Sequence, residues 1–173
     1  WSEPRIRALL GGRRLPLLVV PDLRRRAGEI AGRFYQDPSA DLSVIGITGT
    51  NGKTTTAYLL ESVLAAAGYS VGVIATINCR YAGHTVDTPV TTPESIDLQG
   101  MLAEMVESGV SHAIMEVSSH GIQLERIGGC RYDMAIFTNL SQDHLDFHGD
   151  LDSYWACKQR LFTQYLRPGR GMA

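Results

Sequence analysis

The sequence predicts an α/β fold: a mostly parallel sheet of the P-loop type with helices on both faces. Three observations lead to this prediction. Apolar runs of strand length alternate with helical segments, a glycine-rich loop joins one such strand to its helix, and polar side chains follow directly after the strands. Ligands of open α/β sheets bind beyond the carboxyl ends of the strands, so functional residues are expected there.

The composition is that of an ordinary globular chain. Its 173 residues include 16 Lys and Arg against 18 Asp and Glu, and this balance gives no sign of a nucleic-acid or membrane-surface partner. Cys79, Cys130 and Cys157 are odd in number and widely spaced, which favours reduced thiols over disulfides or a zinc site. No apolar run is long enough to span a membrane or to form a signal peptide. We therefore expect a cytoplasmic protein without membrane insertion.

The first 41 residues are predicted to belong to a different domain from the rest. Residues 15–20 are apolar and are predicted to form a strand, followed by a helix from residue 21 to about residue 35. This helix carries apolar residues on one side and a solvated arginine run on the other. A loop at residues 37–41 is the expected junction. Because both ends of the sequence look cut, we expect residues 42–173 to be an incomplete domain.

A glycine-rich loop at residues 46–56 connects a predicted buried strand, residues 42–47, to a predicted helix, residues 54–67. In such a loop, backbone amides and the positive helix end hold phosphate oxygens. Lys53 would reach the outer phosphates, and Thr54 would offer a hydroxyl to Mg²⁺. The loop is therefore predicted to be a phosphate cradle.

The loop departs from strict P-loop spacing, since Ile47 occupies the position five residues before Gly52. The alternative is a plain strand–turn–helix unit whose turn requires glycine. That alternative does not explain why Gly-Lys-Thr stands at the start of the helix. Lys53 is also one of only two lysines in the chain, whereas arginine serves at every other strongly basic position. We predict a nucleotide site.

The elements after the loop helix continue the alternation. In chain order they are a strand at residues 70–77, a hairpin at 80–86 turning at Gly83, a helix from Thr92 and Pro93 to Gly109, strands at 112–117 and 132–137, and a helix at 151–165.

Glu116 comes at the end of an apolar strand, where a charge is costly without a partner. A carboxylate at this point can hold Mg²⁺ beside nucleotide phosphates. The alternative is a structural glutamate in a salt bridge. Ser118 and Arg126 follow and are predicted to bind an anionic substrate, although Arg126 alone is also compatible with a surface position. A serine hydrolase is disfavoured because no glycine elbow flanks the serine.

The segment after the fourth strand contains His144 and His148, spaced as zinc ligands on a helix can be. No third ligand is evident, so a single histidine serving a second Mg²⁺ is the preferred interpretation. Lys158 lies on the last predicted helix, where lysines are usually solvated. A neutral lysine can form a carbamate with CO₂, which arginine cannot, and the carbamate would be a metal-binding anion.

These segments together resemble the Mur ligase family. The resemblance runs from Val44 through nearly the whole chain, and its Thr-Gly-Thr-Asn-Gly-Lys-Thr and Asp-His-Leu-Asp sequences form a specific combination. It rests on residues 49–55, 91–93, 115–121 and 139–149 together with Lys158. It implies that residues before about 41 are the end of a UDP-binding N-terminal domain and that residues 42–173 are the ATP-binding central domain.

The resemblance also implies roles for individual residues. Lys53, Glu116, His144 and Lys158 would be catalytic. One Mg²⁺ would be held by Thr54 and Glu116, and a second by His144 and carbamylated Lys158. Val90 and Leu124 depart from the family pattern, which loosens the substrate contacts. ATP would be bound by Gly49, Thr50, Asn51, Gly52, Lys53, Thr54 and Thr55, and the acceptor substrate by Thr91, Thr92, Ser118 and Arg126.

The implied activity is ATP-dependent amide-bond formation in peptidoglycan synthesis. A diamino acid would be added to UDP-N-acetylmuramoyl-L-alanyl-D-glutamate through an acyl phosphate, by a monomeric enzyme. Two alternatives remain open from the sequence: a ligase like folylpolyglutamate synthetase, and a non-catalytic nucleotide-binding fragment. A GTPase is disfavoured because no Asn-Lys-x-Asp sequence is present.

Overall fold

The computed structural model describes residues 3–11, 13 and 15–168, and a six-stranded sheet forms its centre. Across the sheet the strand order is β4-β3-β2-β5-β1-β6, with β1 parallel to β5 and β6, and β2 parallel to β5. Strands β3 and β4 are antiparallel and form a hairpin at one edge. The strands are β1 (Ser43–Thr48), β2 (Val71–Ile74), β3 (Cys79–Tyr81), β4 (His84–Val86), β5 (His112–Glu116) and β6 (Met134–Phe137). The predicted mostly parallel sheet is confirmed.

The helices connect these strands and precede the first of them. They are α1 (Glu3–Leu9), α2 (Leu23–Phe34), α3 (Lys53–Ala66), α4 (Ser95–Glu107), α5 (Ser119–Gln123), α6 (Leu145–His148) and α7 (Leu151–Arg160). A 3₁₀ turn, Pro38–Ala40, precedes β1, and a π-helical turn, Leu161–Tyr165, continues α7. No helix in the described part of the chain is both long and apolar enough to cross a bilayer.

Helices cover both faces of the sheet, as predicted. On one face α3 packs its Ala57 against β-strand residues such as Ile47 and Ile114. On the other face α4, α5 and α7 contribute a larger buried cluster around strand residues such as Met115. Because alternate strand residues point to opposite faces, the central strands are apolar on both sides, which explains their continuous hydrophobic runs.

Gly46 lies in the middle of β1 because a neighbouring ring leaves no room for a side chain. A Cβ atom at this position would lie 2.8 Å from two ring carbons of Tyr132, a fully buried residue. Leu161 of the π-helical turn lies behind it, 3.3 Å from the same position. The glycine lets the last helical turn approach the strand that carries the glycine-rich loop.

The predicted strand at residues 15–20 is wrong. This segment has no regular secondary structure and pairs with no strand among the described residues, and Leu18 is 83% exposed. An apolar run becomes a strand only where a second strand accepts its backbone hydrogen bonds. Helix α1, for which the sequence offered no clear pattern, precedes this segment.

The predicted helix after residue 21 is confirmed as α2, but its large apolar side chains are not the ones that pack. Leu23, Ile30 and Phe34 are exposed, whereas Gly28, Ala31 and Gly32 are buried. A Cβ at Gly28 would approach the backbone oxygen of Gly128 to 2.1 Å, so the small residues face the body of the protein. Close backbone contact overrides the apolar pattern.

Two predicted boundaries are also wrong for identifiable reasons. Strand β2 ends at Ile74, not at residue 77, because the Thr76 amide donates to the side chain of Glu116 instead of to a neighbouring strand. Helix α4 begins at Ser95 with Glu94 as its N-cap residue, so Pro93 precedes the helix and is not in its first turn.

Candidate functional site

The predicted site residues gather at the carboxyl edge of three adjacent parallel strands, β5, β1 and β6. The glycine-rich loop leaves β1, Glu116 is the last residue of β5, and Thr138 follows β6. Strand β1 lies between the other two, and its Ile47 pairs with Glu116 in register. The strand order therefore brings the three segments together, as the rule for ligand sites in α/β sheets predicts.

The loop is built against the segment that follows β6. Gly49 has φ +142°, and a Cβ there would lie 1.9 Å from the hydroxyl oxygen of Thr138. That hydroxyl donates a hydrogen bond to the carbonyl of Asn51 over 2.7 Å. The amide of Thr50 donates to the carbonyl of Asn139 over 2.9 Å. Glycine at 49 is thus required both by the backbone angle and by the space.

The amino end of α3 has no hydrogen bond to a capping side chain among the described residues. Helix α3 begins at Lys53, and the preceding Gly52 has φ +85° with open space where a Cβ would be. Thr54 is half-buried and Thr55 exposed in the first turn. Uncapped first-turn amides carry the positive end of the helix dipole and suit an anion such as phosphate.

Both lysines of the chain reach the same carbonyl oxygen. Lys53 Nζ donates to Gly49 O over 3.0 Å and to Thr50 O over 2.9 Å. Lys158 Nζ, from α7, donates to Gly49 O over 2.9 Å and lies 4.4 Å from the ring centre of Tyr154. The Lys158 side chain is only 1% exposed. A solvated helix lysine, the usual interpretation from sequence, is therefore excluded at position 158.

Burial changes the acidity of both amines. It lowers the pKa of Lys158 to about 8, and the nearby charge of Lys53 acts in the same direction. Burial also lowers the pKa of Lys53, while the carboxylates of Glu116 and Asp143 oppose this change. A lower pKa makes the neutral, nucleophilic amine more accessible near physiological pH.

Tyr154 is a functional neighbour that sequence reasoning missed. Its hydroxyl lies 3.3 Å from Thr50 Oγ1. Thr50 Oγ1 accepts from the amide of Ser141 and donates its one proton to the Ser141 carbonyl. By this count the tyrosine hydroxyl must be the donor to Thr50. Tyr154 precedes Lys158 by four residues on one helix face, and that spacing was the available signal.

Glu116 is buried, with 1% exposure, and its partners are hydrogen-bond donors. Thr76 donates to its carboxylate from the amide over 3.1 Å and from the hydroxyl over 2.9 Å. No described residue forms an ion pair with it, so the alternative of a salt-bridged glutamate is not observed. Thr91 lies within 3.1 Å of the Thr76 hydroxyl. A buried carboxylate whose direct hydrogen-bond donors are neutral suits a hard cation.

The predicted acceptor residues lie together beside Glu116. Thr92 is fully buried, and its hydroxyl contacts Glu116 O at 3.1 Å and Ser118 Oγ at 3.0 Å. Ser118 caps α5 by accepting from the Gly121 amide. Arg126 donates to Thr92 O over 3.3 Å, and its Nε lies 2.8 Å from a carboxylate oxygen of Glu94. Thr92 thus holds Glu116 and Ser118 in place through its hydroxyl. The carboxylate of Glu94, which pairs with Arg126, could be replaced by an anionic group of a ligand.

His144 stands at the amino end of α6 in a left-handed conformation, φ +51°. Its Nε2 lies 3.5 Å from Asp143, and its ring centre is 4.8 Å from that of His120. The ring of Tyr154 lies 6.3 Å from His144 and 5.0 Å from His148. Within the described ranges, no three His, Cys, Asp or Glu side chains converge as a metal-binding group. Asp143, which influences both lysines, was not among the predicted site residues.

The comparison with known protein families covers the segments that form this site. The pattern of the family described as "Mur ligase middle domain" matches residues 47–172, well over half of the sequence. The chain belongs to the Mur ligase family. This Mur ligase chain includes the complete glycine-rich loop from Thr48, both lysines, Glu116 and the residues around Arg126 within the matched range.

Two similar proteins illustrate the relationship. The chain is 49% identical over 149 residues to the UDP-N-acetylmuramoyl-L-alanyl-D-glutamate–2,6-diaminopimelate ligase of Geobacter metallireducens, covering 86% of this chain and 29% of that protein. It is 50% identical over 151 residues to the ligase of the same name from Corynebacterium glutamicum, covering 87% and 29%. This Mur ligase chain therefore spans less than a third of the length of these relatives.

Solved structures agree on the fold. A UDP-N-acetylmuramoyl-L-alanyl-D-glutamate–2,6-diaminopimelate ligase matches with a TM-score of 0.75 at 37% identity, over 87% of this chain and 31% of that one. E. coli FolC in complex with ADP matches with a TM-score of 0.63 at 26% identity, over 88% and 42%. The Mur ligase chain thus has an architecture that both kinds of ligase share.

Proposed function

We propose that this chain is the nucleotide-binding part of an ATP-dependent ligase that adds a diamino acid to UDP-N-acetylmuramoyl-L-alanyl-D-glutamate in peptidoglycan synthesis. One observation carries the proposal: the half-buried Lys53 and the buried Lys158 meet at the Gly49 carbonyl, beside the uncapped end of α3. Positive charge and free amides are thereby concentrated where a triphosphate would lie. The names of the similar proteins support the same substrate class.

The residues of the loop would bind ATP in a defined way. The free amides at the amino end of α3 would surround the phosphate oxygens, while those of Thr50 and Asn51 stay bonded to Asn139. Lys53 would exchange its two backbone carbonyls for the outer phosphates. The exchange is favourable because a phosphate group carries net negative charge and a backbone carbonyl does not. The loop needs no large rearrangement, since Thr138 and Asn139 already support it.

The donor set fits Mg²⁺. Thr54 and Glu116 would hold one ion, and His144 with a carbamate on Lys158 would serve the second. Oxygen donors beside phosphates are what this cation prefers, and it keeps several waters, so few protein ligands suffice. When bound, the ions would neutralise charge on the transferring phosphoryl group.

A carbamate on Lys158 is consistent with its surroundings. The neutral amine would attack CO₂, forming an N–C bond and losing one proton to solvent. The lowered pKa of Lys158, about 8, increases the neutral fraction available for this step. The product anion would move away from the Gly49 carbonyl, which repels it, and Lys53 would partly balance its charge.

The acceptor would bind beside Glu116. Arg126 and Ser118 would recognise its anionic groups, with Thr91 nearby. A carboxylate oxygen of the acceptor then attacks the γ-phosphorus of ATP, forming an acyl phosphate as the bond to ADP breaks. The amine of the diamino acid attacks the acyl carbon, forming the amide as phosphate leaves. Lys53 holds charge that develops on the transferred group.

A second candidate is a folylpolyglutamate synthetase-like ligase, favoured by the likeness to FolC with ADP. The two are separated by supplying each acceptor to the longest form of the protein that its gene encodes and measuring ADP release and amide product. We expect turnover with the muramoyl dipeptide and a diamino acid, and none with a folate and glutamate. The reverse result would replace the proposal by the second candidate.

The same assay tests the role of the loop lysine. Lys53→Arg keeps the charge but cannot occupy the same compact position, and we expect the affinity for ATP to fall about tenfold or more. Arg24→Met is the matched control, because it removes one exposed charge from α2. Unchanged ATP binding by the Lys53 variant would contradict the phosphate cradle.

A further inference from the structure

We propose that Glu125, held by Arg160 and Tyr165, is a positioning residue that sets the side chain of Arg126 for the anionic acceptor. This inference deepens the proposed function and rests on it. Glu125 itself lies outside the set of residues that would contact ATP, metal or acceptor. Its effect on the acceptor would pass through the backbone to the next residue.

The first observation is the backbone of Glu125. Its φ is +57°, in the left-handed region that glycine usually occupies at the end of a helix. The amide of Arg126 donates to Gly121 O over 2.8 Å, and that of Glu125 to Ile122 O over 3.1 Å. These two hydrogen bonds form the pattern that commonly ends a helix, and here they end α5. A glutamate in this place is disfavoured by its own backbone, so other contacts must retain it.

The second observation is how completely the carboxylate is used. Arg160 Nη2 donates to one oxygen over 2.5 Å, and the hydroxyl of Tyr165 donates to the other over 3.0 Å. Arg160 also donates to the carbonyl of Ile122 over 3.4 Å. The side chains of Glu125 and Arg160 are each 23% exposed, so solvent screens their attraction less than at an open surface.

The third observation is where these partners lie in the chain. Arg160 is the last residue of α7, two residues after Lys158, and Tyr165 ends the π-helical turn that follows. Glu125 therefore fastens the turn after α5 to the helix that carries Lys158. Arg126, the next residue, crosses to Thr92 O and Glu94. The acceptor-binding arginine is thus fixed relative to the lysine on the catalytic side.

The test compares variants that separate backbone from side chain. Glu125→Gly keeps the left-handed backbone conformation without steric cost but removes the carboxylate. Arg160→Met removes the guanidinium that binds this carboxylate. A control is Arg80→Met, which breaks the Arg80–Glu61 ion pair of similar exposure on another part of the molecule. Steady-state constants for ATP and acceptor are measured on the longest form of the protein that its gene encodes. The Nε–H signal of Arg126 is followed by ¹⁵N NMR in the same protein.

We expect Glu125→Gly and Arg160→Met each to raise the acceptor KM about tenfold while the ATP KM changes less than about twofold. The double variant should be no worse than either single one, because both remove the same contact. The Arg126 signal should lose its protection from exchange with water in both variants and keep it in Arg80→Met. An unchanged acceptor KM and Arg126 signal in Glu125→Gly would overturn the proposal, as would equal increases in both KM values.

The NMR measurement also separates this inference from the function on which it rests. If the unsubstituted protein does not use the muramoyl acceptor but the Arg126 signal still depends on Glu125, the proposed function fails and the positioning role stands. If the acceptor is used and the signal does not depend on Glu125, the positioning role fails alone.

Discussion

Lys158 is the residue whose environment departs most from what its type prefers. It is buried and lies close to a second lysine, and within the described residues its amine has only a carbonyl and an aromatic ring as partners. Such surroundings disfavour the charged form. The same burial that would prepare the amine for CO₂ under the proposed function must therefore reduce the stability of the protein when the amine is protonated.

The stability of the protein should depend on pH through Lys158. Its pKa of about 8 in the folded state lies below 10.5, the value for an ordinary lysine. Between these values the unfolded chain binds more protons, so the free energy of unfolding rises with pH across this window. A difference of this size corresponds to roughly 3 kcal/mol.

Chemical denaturation between pH 7.5 and about 10.5, a window set by this pKa difference, checks the expectation in buffer free of CO₂ and divalent metal. The increase should be largely lost in Lys158→Met, because Met cannot bind a proton, and retained in Arg24→Met. Lys53 contributes in the same direction, so some increase remains. Identical pH profiles for the unsubstituted protein and Lys158→Met would refute the assignment.

At this scale the sequence predicted the residues of unusual type but not their partners. Lys53 and Lys158 were identifiable because the chain has no other lysine, and Glu116 because it ends an apolar strand. Thr76 and Tyr154 were missed, since a threonine in a turn and a tyrosine on a helix have many ordinary roles. Their hydroxyls matter only because the fold brings them to Glu116 and Thr50.

Among the elements, those flanking the loop were the most predictable. Strand β1 and helix α3 lie within two residues of their predicted bounds, because burial on both faces and helical spacing leave clear patterns. The segment at residues 15–20 has an equally apolar pattern without being a strand. A hydrophobic pattern indicates that burial of a segment is favourable. A strand also requires a neighbouring strand for its backbone hydrogen bonds, and the pattern holds no information about that neighbour.

Strand β1 should tolerate a methyl group less well than β2. In Gly46→Ala the new Cβ would lie 2.8 Å from the rigid, buried ring of Tyr132, whereas in Gly72→Ala it would meet the flexible end of Met105 at 2.7 Å. We expect Gly46→Ala to reduce the free energy of unfolding by about 1–3 kcal/mol and Gly72→Ala by clearly less. Urea denaturation of both variants measures this. Equal losses would mean that the ring moves as easily as the methionine.

For the whole molecule, the order of strands decides where the site lies. The sequence predicted parallel strands and polar residues at their ends, but not that β1 would stand between β5 and β6. That order depends on pairings between residues far apart in the chain, for which a single sequence holds no local signal. The predicted site residues could be assigned to one edge without knowing this order, because all parallel strands end at the same edge of the sheet.

The 173-residue chain by itself should bind ATP without forming an amide. The cradle is contained within the described residues, whereas the chain spans 29% of the length of the ligases it resembles. Calorimetric titration with a non-hydrolysable ATP analogue, with and without Mg²⁺, measures the binding, and product analysis with both substrates measures the turnover. Efficient amide formation by this chain alone would show that the remaining parts of such ligases are dispensable for the chemistry.

The shared acceptor at Gly49 has a consequence for the order of events during activation. One oxygen atom has two lone pairs, and two ammonium groups occupy them at close quarters. If either ammonium group leaves the Gly49 carbonyl, the electrostatic repulsion on the other ammonium group decreases. Capture of Lys53 by a nucleotide and conversion of Lys158 by CO₂ would therefore be thermodynamically linked, and by reciprocity each ligand would strengthen or weaken the other by the same factor.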